Sequence, residues 1–229
     1  MTDISIRPRL LWFAERVRKN VFFADIGTDH AKLPVYLVKN NIIKKAVASD
    51  IGEGPISRAR TFISINGLSD KISTYVGDGI AHLEIESPAD IAICGMGGET
   101  IIEILECAPF IKASGIRLLL QPMTDFAAVR NYLAKSGFEP VDEDIILSDG
   151  KMYQCIVAEY TGKEYSISAI EAEFGKVCIG KRSKTFLNYV THRRDVMYKR
   201  IESKNKAGHN TSEEVFLINE YNEILKGEL

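Results

Sequence analysis

Five short apolar runs recur between residues 21 and 136, separated by loops and by segments of helical character. The runs are Val21–Asp25, Ala46–Asp50, Ile72–Val76, Asp90–Cys94 and Arg117–Gln121. Apolar runs of this length that alternate with helical segments predict parallel strands joined by right-handed crossovers. The alternation therefore predicts an α/β fold built on a parallel sheet.

The pattern changes after residue 136, where two extended runs follow each other without a helix between them. They span Phe138–Leu147 and Met152–Tyr160, and the turn between them contains Asp149 and Gly150. An Asp-Gly pair between two such runs is typical of a β-hairpin. A terminal hairpin added to five parallel strands gives the Rossmann-like, seven-stranded sheet of class I S-adenosylmethionine-dependent methyltransferases. A purely parallel dinucleotide-binding sheet does not end in this way.

The C-terminal part of the chain is predicted to be helical. Ser168 can cap a short helix, and Lys181–Lys206 predicts one long helix. Apolar residues share one face of the long helix at a spacing of three to four residues: Phe186, Tyr189, Val190, Val196, Met197 and Ile201. This face is expected to pack against another helix.

A second C-terminal helix follows after a short loop. Gly208 is a stop signal, and Thr211 with Glu214 predicts a capping box. The helix presents Val215, Ile218, Tyr221 and Leu225 on one face. The two helices predict a coiled-coil-like antiparallel hairpin. We therefore expect a methyltransferase domain at residues 1–162 and a helical hairpin at residues 163–229.

Charge is concentrated in one segment of a chain that is otherwise acidic. Residues 176–206 contain ten basic and two acidic residues, although the whole chain has a net charge of −2. A basic segment of this kind indicates a polyanion partner, most commonly nucleic acid. A solvated helix face explains the same charges equally well at this point.

Composition predicts an ordinary globular protein of a reducing compartment. Hydrophobic residues make up 45% of the chain, and none of the apolar runs approaches the length of a membrane span. The four cysteines are far apart and form no metal-binding pair: Cys94, Cys107, Cys155 and Cys178. We expect a cytoplasmic protein without a metal, without a membrane association and without an obligate protein partner.

The loop after the first predicted strand is the first candidate site. Asp25 ends the strand, and Gly27, Asp29 and His30 follow before a helix. Ligands of open α/β sheets bind at this edge. The loop lacks the further glycines of a dinucleotide fingerprint, and its acids could accept hydrogen bonds from the amino group of an amino-acid ligand. The alternative is a connecting loop whose aspartates only cap the helix.

Acidic residues also end the second and third predicted strands. Asp50 lies 23 residues after Gly27, the separation at which a carboxylate can accept from both ribose hydroxyls of an adenosine. Asp78 lies between Gly77 and Gly79 and could accept from an adenine amine. Either group could instead be an ordinary turn residue.

The loops after the fourth and fifth predicted strands could hold an acceptor base. Gly95, Met96, Gly97 and Gly98 include more glycine than a turn needs, which permits a close approach of backbone to a flat base. Met96 could pack on that base or on the core. The Asn-Pro-Pro-aromatic tetrapeptide of many amino-methylating enzymes is absent. The next loop offers the Gln121 amide and the turn residue Pro122, although Gln121 could simply be a polar strand end.

The set of motifs resembles the bacterial tRNA (adenine-22-N1)-methyltransferase family. The resemblance rests on A-D-I-G-T-D-H-A-K-L-P at residues 24–34, on G-D-G at 77–79, on G-M-G-G at 95–98 and on L-Q-P at 120–122. It covers nearly the whole chain, including the C-terminal helices. The chain departs from the family at Lys32, where an aromatic is common, and at Met123, where Asn is frequent.

The resemblance implies methyl transfer from S-adenosylmethionine to N1 of an adenine in tRNA. It places Asp25, Gly27, Asp29 and His30 at the methionine end of the cofactor. It places Asp50 at the ribose, Asp78 at the adenine, and Gly95 beside the cofactor. Met96, Gly97, Gly98, Gln121 and Pro122 would form the pocket for the acceptor base. Asp29 is the candidate for accepting a proton or orienting the target.

The same resemblance implies that basic residues of this chain contact tRNA phosphates. The candidates are Arg7, Arg9, Lys181, Arg182, Arg193, Arg194, Lys199 and Arg200, with Arg16, Arg18 and Lys19 as further N-terminal cations. Three rival functions stay open. They are a nicotinamide-dependent oxidoreductase, a non-catalytic RNA-binding protein on the same fold, and a methyltransferase with another acceptor.

Overall fold

The protein forms one mixed seven-stranded sheet with helices on both faces, and the computed structural model describes residues 4–85 and 87–228. The strands are β1 Phe22–Ile26, β2 Ala46–Asp50, β3 Ile72–Val76, β4 Ala89–Met96, β5 Ile116–Pro122, β6 Phe138–Ser148 and β7 Lys151–Tyr160. The helices are α1 Pro8–Ala14, α2 Lys32–Lys39, α3 Glu53–Ile65, α4 Gly98–Glu106, α5 Phe126–Lys135, α6 Ala169–Phe174, α7 Lys176–Lys181, α8 Lys184–Lys206 and α9 Ser212–Lys226. A short 3₁₀ turn occupies Pro109–Ile111.

The strand order is β3-β2-β1-β4-β5-β7-β6. Strands β1 to β5 pair in parallel, whereas β7 pairs antiparallel with both β5 and β6. The predicted parallel sheet with a terminal hairpin is therefore confirmed. Two apolar clusters cover the two faces of the sheet, as expected for central strands that are buried on both sides.

The β6–β7 hairpin extends past the carboxyl end of β5. Strand β7 pairs with β5 only between residues 156 and 159, while its pairing with β6 continues to Lys151. By the register of this pairing, residues 151–153 project beyond Pro122, the last residue of β5, on the side where the parallel strands end. Helix α1 packs on this projection, with the Arg9 guanidinium 5.4 Å from the centre of the Tyr153 ring.

Helix α1 was not among the predicted elements. It has seven residues and begins with Pro8, a favoured first helical residue. A helix this short is not stable by itself and depends on tertiary contacts. Here the contacts come from Trp12 and Phe13, which are buried.

The long helix predicted over Lys181–Lys206 is present as α8 Lys184–Lys206, but its predicted start at Lys181 is wrong. Helix α7 ends at Lys181, Arg182 adopts a left-handed conformation with φ 52°, and α8 begins at Lys184. Ser183 restarts the helix because its side chain accepts a hydrogen bond from the Phe186 N–H at 3.2 Å. The chain therefore turns sharply before the long helix.

The two long helices form the expected antiparallel hairpin, but its apolar face is shorter than predicted. Phe186, Tyr189 and Val190 are buried, whereas Val196 is 48% exposed and Val215 is 46% exposed. Buried residues at the base of the hairpin share a cluster with Ile145 of β6. The far part of the hairpin therefore extends from the body of the protein into solvent.

Two predicted caps have different outcomes. Ser168 caps α6 as expected, and it does so in a capping box with Glu171, which was not predicted from the sequence. Thr211 precedes α9 but its side chain makes no capping hydrogen bond, so the capping box predicted there is wrong. The Thr211 hydroxyl donates to the side chain of Asn205 instead, at 3.2 Å.

Within residues 4–85 and 87–228, no helix combines the length and the apolar character that a membrane span requires. The same residues contain no group of three or more metal-ligating side chains.

Candidate active site

A cavity of about 250 Å³ lies at the carboxyl end of β1, between the first loop and helix α1. Its lining includes Asp25, Gly27, Thr28, Asp29 and His30 from the loop, Cys94 from β4, and Arg7 and Arg9 from the N-terminal segment. Four residues predicted for the methionine end of a cofactor are therefore brought together. Arg9, predicted to bind tRNA, lies in the same cavity.

Asp25 is the buried acid of this cavity. Asp25 is 9% exposed. Burial raises the pKa of its carboxyl to about 6, although the hydrogen bond with Thr28 and the charge of Arg9 act to lower that pKa. A carboxylate with such a pKa is poorly solvated and gains most from a cationic ligand. Asp25 is thus suited to an ammonium group.

Asp29 lines the same cavity as Asp25 but differs from it in exposure and in its partners. It is exposed, and its Oδ1 accepts from Arg58 Nε at 3.0 Å and Nη2 at 2.5 Å. His30 Nε2 lies 3.2 Å from Asp29 Oδ2. The hydrogen bond from Arg58 holds the pKa of Asp29 below its usual value, which makes it a weak proton acceptor. These contacts favour a positioning role for Asp29.

Sequence reasoning missed Arg58, because nothing in the α3 sequence distinguishes this arginine from a solvated one. Its position is informative only in three dimensions, where helix α3 follows Asp50 and passes over the first loop. Arg58 and Asp29 join α3 to that loop. The loop is therefore held from outside the cavity.

The candidate ribose and adenine sites adjoin each other. The Gly77 N–H donates to the Asp50 carbonyl oxygen at 3.0 Å, so the loop with Asp78 starts beside Asp50. One oxygen of the Asp50 carboxylate accepts from the Gly52 N–H at 2.7 Å. Asp78 is exposed, as is Ile51 at 70%. An acid and an exposed apolar side chain at one edge fit the polar and flat parts of an adenosine.

A β-bulge changes the direction of the chain at the end of β4. The register with β5 shifts between Cys94 and Met96, and Gly95 between them has φ +85°. A bulge of this kind turns the following side chain to a new direction. The Met96 terminal methyl lies 1.9 Å from the position that a β-carbon on Gly27 would take. Met96 therefore joins the cofactor loop to the predicted acceptor pocket.

The two remaining glycines of this motif differ in their surroundings. A β-carbon on Gly98 would lie 2.7 Å from the Thr124 carbonyl oxygen, so the close packing of α4 on the next loop already requires glycine there. A β-carbon on Gly97 would lie 3.4 Å from the Thr124 hydroxyl. The absence of a side chain at Gly98 thus has a structural explanation that needs no base.

Gln121 is fully buried and its amide is already engaged. Its oxygen accepts from Arg9 Nη1 at 2.8 Å, and its nitrogen donates to the Pro122 carbonyl oxygen at 3.0 Å. Gln121 could hold a base edge only by giving up one of these bonds. The contacts instead fix the Arg9 guanidinium between β5 and the cavity.

The predicted tRNA contacts are mostly paired within the protein. Arg182 donates to the carbonyl oxygens of Ile224 and Leu225 and so satisfies the carboxyl end of α9. Arg193 pairs with Glu173 at 2.6 Å. The other pairs are Lys181 with Asp142, Arg194 with Asn222, Arg200 with Glu214 and Arg7 with Asp149. Lys199 is exposed and has no ion pair among the described residues.

The N-terminal arginines beyond α1 are also structural. Arg16 pairs with Asp142 at 2.6 Å and lies over the Trp12 ring. Arg18 binds the buried Asp90 carboxylate. A prediction from sequence could not separate these arginines from free ones, because their partners lie far away in the chain.

A larger cavity, of about 830 Å³, lies between α5, β6 and the segment that leads to α7. Its lining contains none of the residues predicted to bind cofactor or base. Size alone would favour it as the active site, whereas convergence of the sequence motifs favours the smaller cavity. We place the active site at the smaller cavity because parallel α/β sheets bind ligands at the carboxyl ends of their strands.

The sheet order with its terminal antiparallel hairpin, and the acids that end β1 and β2, define a class I S-adenosylmethionine-dependent methyltransferase. The side chains present fit that cofactor. Asp25 is a buried acid suited to the ammonium group, and the buried Nε of Arg9 has no acceptor among the described residues, which suits a carboxylate.

Comparison with known proteins narrows the class to a family. A methyltransferase domain model matches residues 6–156. The tRNA (adenine(22)-N(1))-methyltransferase of Bacillus subtilis is 34% identical over 175 residues, which are 76% of this chain and 74% of that protein. The chain therefore belongs to the tRNA (adenine-22-N1)-methyltransferase family, and the resemblance read from its motifs is confirmed.

Solved structures agree over nearly the whole chain. The crystal structure of TrmK from Bacillus subtilis has a TM-score of 0.77 at 30% identity and covers 98% of this chain and 97% of its own. A Streptococcus pneumoniae relative solved in complex with S-adenosyl-L-methionine has a TM-score of 0.84 at 30% identity, with 96% and 100% covered. The fold expected from sequence, including the C-terminal helical region, is confirmed.

Proposed function

We propose that this chain transfers the methyl group of S-adenosylmethionine to N1 of adenine 22 in tRNA. The observation that carries the proposal is the convergence of Asp25 and Arg9 in one cavity at the carboxyl edge of the sheet. A buried acid beside a guanidinium matches the amino and carboxylate groups of a methionine moiety. Identity to the Bacillus subtilis enzyme supplies the acceptor.

The residues that bind the cofactor come from helix α1 and from the ends of β1, β2, β3 and β4. Asp25 binds the ammonium group, Gly27 gives the backbone approach, and Arg9 binds the carboxylate in place of the tRNA contact predicted for it. His30 and Asp29 shape the loop from its outer side. Asp50 accepts from the ribose hydroxyls through the carboxylate oxygen that does not bind Gly52, Asp78 accepts from the adenine amine, and Gly95 borders the cofactor.

The chemistry asks little of the protein beyond alignment. The cofactor supplies an electrophilic methyl group, and N1 of adenine has an in-plane lone pair, so no covalent enzyme intermediate is needed. Loops after β4 and β5 hold the base in line with that methyl group. The base must first leave its stack to reach them.

The acceptor pocket combines residues of different character. Gly95, Met96 and Gly97 follow Cys94, which lines the cavity, and lead into α4, whereas Gly98 serves packing. Gln121 and Pro122 act through the turn that they fix and through the Gln121 bond to Arg9. We propose Asp29 as an orienting group, because its paired carboxylate is a weak base.

The tRNA contact region is proposed to be residues 163–229, and its contact surface to be one exposed face of α8. Asp195, which pairs with Arg194, and Glu202 lie on the same side of α8. The basic residues of this face are Lys184, His192, Lys199 and Lys206, and all four are exposed. We call these four residues the basic stripe. None of them has an ion pair among the residues that the structure describes. Free exposed cations release counterions on binding phosphates, whereas Arg193 and Arg182 must first give up their own partners.

Reversing the three lysines of the basic stripe to glutamate is expected to weaken tRNA binding by about 10- to 100-fold at low ionic strength. The salt dependence should also become shallower, by about one unit of slope for each lost phosphate contact. Affinity for S-adenosylhomocysteine should not change, because the stripe lies on a different element from the cavity. Binding to a labelled tRNA transcript over a salt series measures both effects.

A matched control reverses Lys44, Lys45 and Lys71, which are exposed and precede β2 and β3 at the opposite edge of the sheet. This variant has the same net charge as the stripe variant and should bind tRNA like the unmodified protein. Equal weakening in both variants would mean that net charge, and not the stripe, governs binding.

Transfer of label from S-adenosylmethionine to two tRNA transcripts tests the reaction and its site. One transcript carries adenine at position 22 and the other carries guanine there. Label in the adenine transcript alone supports the proposal. Label in both transcripts would support a methyltransferase that acts at another position. Label in neither transcript, from protein that binds S-adenosylhomocysteine, would overturn the assigned acceptor.

A further inference from the structure

We infer that the larger cavity is a second ligand site, which takes a small uncharged molecule with an apolar body and a carbonyl oxygen. The cavity lies between α5, β6, α7 and residues 161–167, and its volume is about 830 Å³. Small-molecule sites usually have volumes of about 300–1,000 Å³. The inference is independent of the proposed methyl transfer, because this lining shares no residue with the cavity at the end of β1.

The first observation is an arginine in the wall of the cavity whose guanidinium is only partly engaged. Arg130 of α5 lines the cavity and is 5% exposed. Its Nε donates to Glu143 Oε1 at 2.7 Å, and its Nη1 donates to the carbonyl oxygens of Ala172 and Glu173 at 3.1 and 3.2 Å. Its Nη2 is buried and has no acceptor among the described residues. A buried donor without a partner is unfavourable, and a ligand oxygen would satisfy it.

The second observation is that the charge of Arg130 is already balanced, which decides the kind of oxygen. Glu143 is fully buried, and its Oε2 accepts from the Val177 N–H at 3.1 Å. The lining as a whole contains four basic and four acidic residues: Arg130, Lys163, Lys176, Lys181, Glu139, Glu143, Glu164 and Glu171. A carboxylate on the ligand would be a buried charge without a counter-charge, which is unfavourable. A neutral carbonyl oxygen accepts from Nη2 without that penalty.

Apolar side chains supply the other contacts of the site. Leu133 and Ile156 are buried, whereas Pro140, Ile167 and Val177 are partly exposed. Burial of a ligand's apolar surface against these side chains is favourable. Small-molecule sites combine a lining of this kind with a few polar groups that fix the orientation of the ligand.

The site lies where the sheet meets the C-terminal region. Arg130 joins α5 to β6 through Glu143 and to α6 through the Ala172 carbonyl oxygen. Glu143 in turn joins β6 to α7 through the Val177 N–H. A molecule in the cavity therefore contacts both the sheet and the segment that leads to the helical hairpin.

Three matched probes test the site by ¹H–¹⁵N NMR of the full chain. Acetophenone carries the carbonyl oxygen, ethylbenzene lacks an acceptor, and benzoate carries a charge. Acetophenone should shift the amide resonances of Val177 and Gly180, which line the cavity, and leave that of Gly27 in place. It should bind at least about fivefold more tightly than either other probe, because it alone pairs with Nη2 without bringing a charge. Saturation with S-adenosylhomocysteine should leave this binding unchanged.

Removal of the ion pair tests the role of Arg130. Arg130→Leu/Glu143→Leu replaces both buried charges with apolar groups, a change that often leaves stability unaltered. The preference for acetophenone over ethylbenzene should fall at least about fivefold in this variant. A preference that does not change in the folded variant would overturn the assignment of Arg130 as the donor.

A second pair of variants tests the cavity without touching the ion pair. A β-carbon on Gly180 has no atom within 4 Å, so side chains are tolerated there. Gly180→Leu should weaken acetophenone binding at least about fivefold, because the larger side chain occupies part of the cavity. Gly180→Ala is the matched control and should bind acetophenone like the unmodified protein. Equal binding to both variants would contradict the location of the site.

The remaining outcomes are also decisive. Shifts that disappear when S-adenosylhomocysteine is added would place acetophenone at the active site and overturn the inference. The absence of saturable shifts at Val177 and Gly180 would overturn it as well, and would leave water as the partner of Arg130 Nη2. Tighter binding of benzoate than of acetophenone would show that the class of ligand is wrong.

Discussion

Asp25→Asn is expected to weaken the binding of S-adenosylhomocysteine by about 100-fold, since a buried charge-assisted hydrogen bond contributes about 3 kcal/mol. The loss follows from the position of Asp25, which is buried at the end of β1 in the cavity that also contains Arg9. The substitution keeps the shape of the side chain and removes its charge. Calorimetric titration at pH 7.5 measures the effect.

The pH dependence gives a second signature of the same group. The Asp25 pKa is raised to about 6 in the ligand-free protein, and an ammonium ligand requires the ionised form. Affinity should therefore fall as the pH decreases below about 6, approaching a tenfold loss per pH unit. The ammonium group stays protonated over this range. Asp25→Asn should bind weakly at every pH and lack this dependence.

The stability of the ligand-free protein should depend on pH in the opposite sense to the affinity for the ligand. The folded-state pKa of Asp25 lies above the ordinary value of 3.8, so the stability of the ligand-free protein decreases as the pH rises from about 4 to about 6. Above pH 6, Asp25→Asn should recover up to about 3 kcal/mol, because it never has to ionise in the cavity. Urea unfolding at pH 5 and pH 7.5 measures this gain.

The exposed Asp70 provides the matched control, because Asp70→Asn removes the same charge outside the site. It should alter neither the affinity nor its pH dependence. An Asp25→Asn protein that binds S-adenosylhomocysteine normally would remove Asp25 from the ammonium site. Loss of binding together with a large loss of stability would assign Asp25 to the framework of the loop instead.

The elements that the sequence predicts well are those whose signal is local. Strands β2 and β3 have the predicted bounds, and the other parallel strands differ from prediction by one or two residues at their ends. Their apolar runs are bounded by loops, and those of β1, β2, β4 and β5 are mostly buried, so few alternatives compete. The five loops at the carboxyl edge follow directly, because topology alone brings strand ends together.

The elements that sequence reasoning missed depend on distant contacts. The break before α8 is an example: Arg182 has a left-handed backbone, and its guanidinium binds carbonyl oxygens at the end of α9, about 42 residues away. The bond between Arg9 and Gln121 joins residues 112 apart. No pattern in a window of ten or twenty residues contains such pairs.

The loops that form the candidate site could be predicted from the sequence, whereas the roles of individual residues in it could be predicted less well. Charge placed Arg9 among the tRNA contacts, whereas its contacts place it in the cavity at the end of β1, where we propose that it binds the cofactor. Glycine content made Gly98 a base-contacting position, whereas its distance to the Thr124 carbonyl explains it by packing. In both cases residue type was informative and the direction of the side chain, which only the fold determines, decided the role.

Arg18→Ala is expected to destabilise the protein by about 3–5 kcal/mol, because it leaves a buried carboxylate without its partner. Asp90 has no exposed surface, and it accepts from the Arg18 backbone N–H at 2.7 Å and from Arg18 Nε at 2.7 Å. Arg18 Nη2 also donates to the carbonyl oxygens of Ala89 and Gly115, at 2.8 Å each. One guanidinium therefore ties the N-terminal segment to the amino ends of β4 and β5.

The comparison with an exposed pair makes the test specific. Arg60 pairs with Glu53 on the surface of α3, and Arg60→Ala should cost less than about 1 kcal/mol. The double variant Arg18→Ala/Asp90→Ala should lose less stability than the sum of the losses in the two single variants, since each single change leaves the other charged group without its partner. Additive losses would mean that the two residues act independently.

The same experiment decides what the N-terminal arginines do. An arginine that binds tRNA from the surface can be removed at little cost to folding, and its loss reduces affinity and the salt slope. Arg18 should show the reverse: a lower midpoint in urea, with unchanged tRNA affinity at temperatures where the variant is folded. Weakened tRNA binding by a fully stable Arg18→Ala protein would instead assign Arg18 to the tRNA-binding surface of the protein. Because Asp90 is buried at the edge opposite the cavity, we expect the loss to appear in stability.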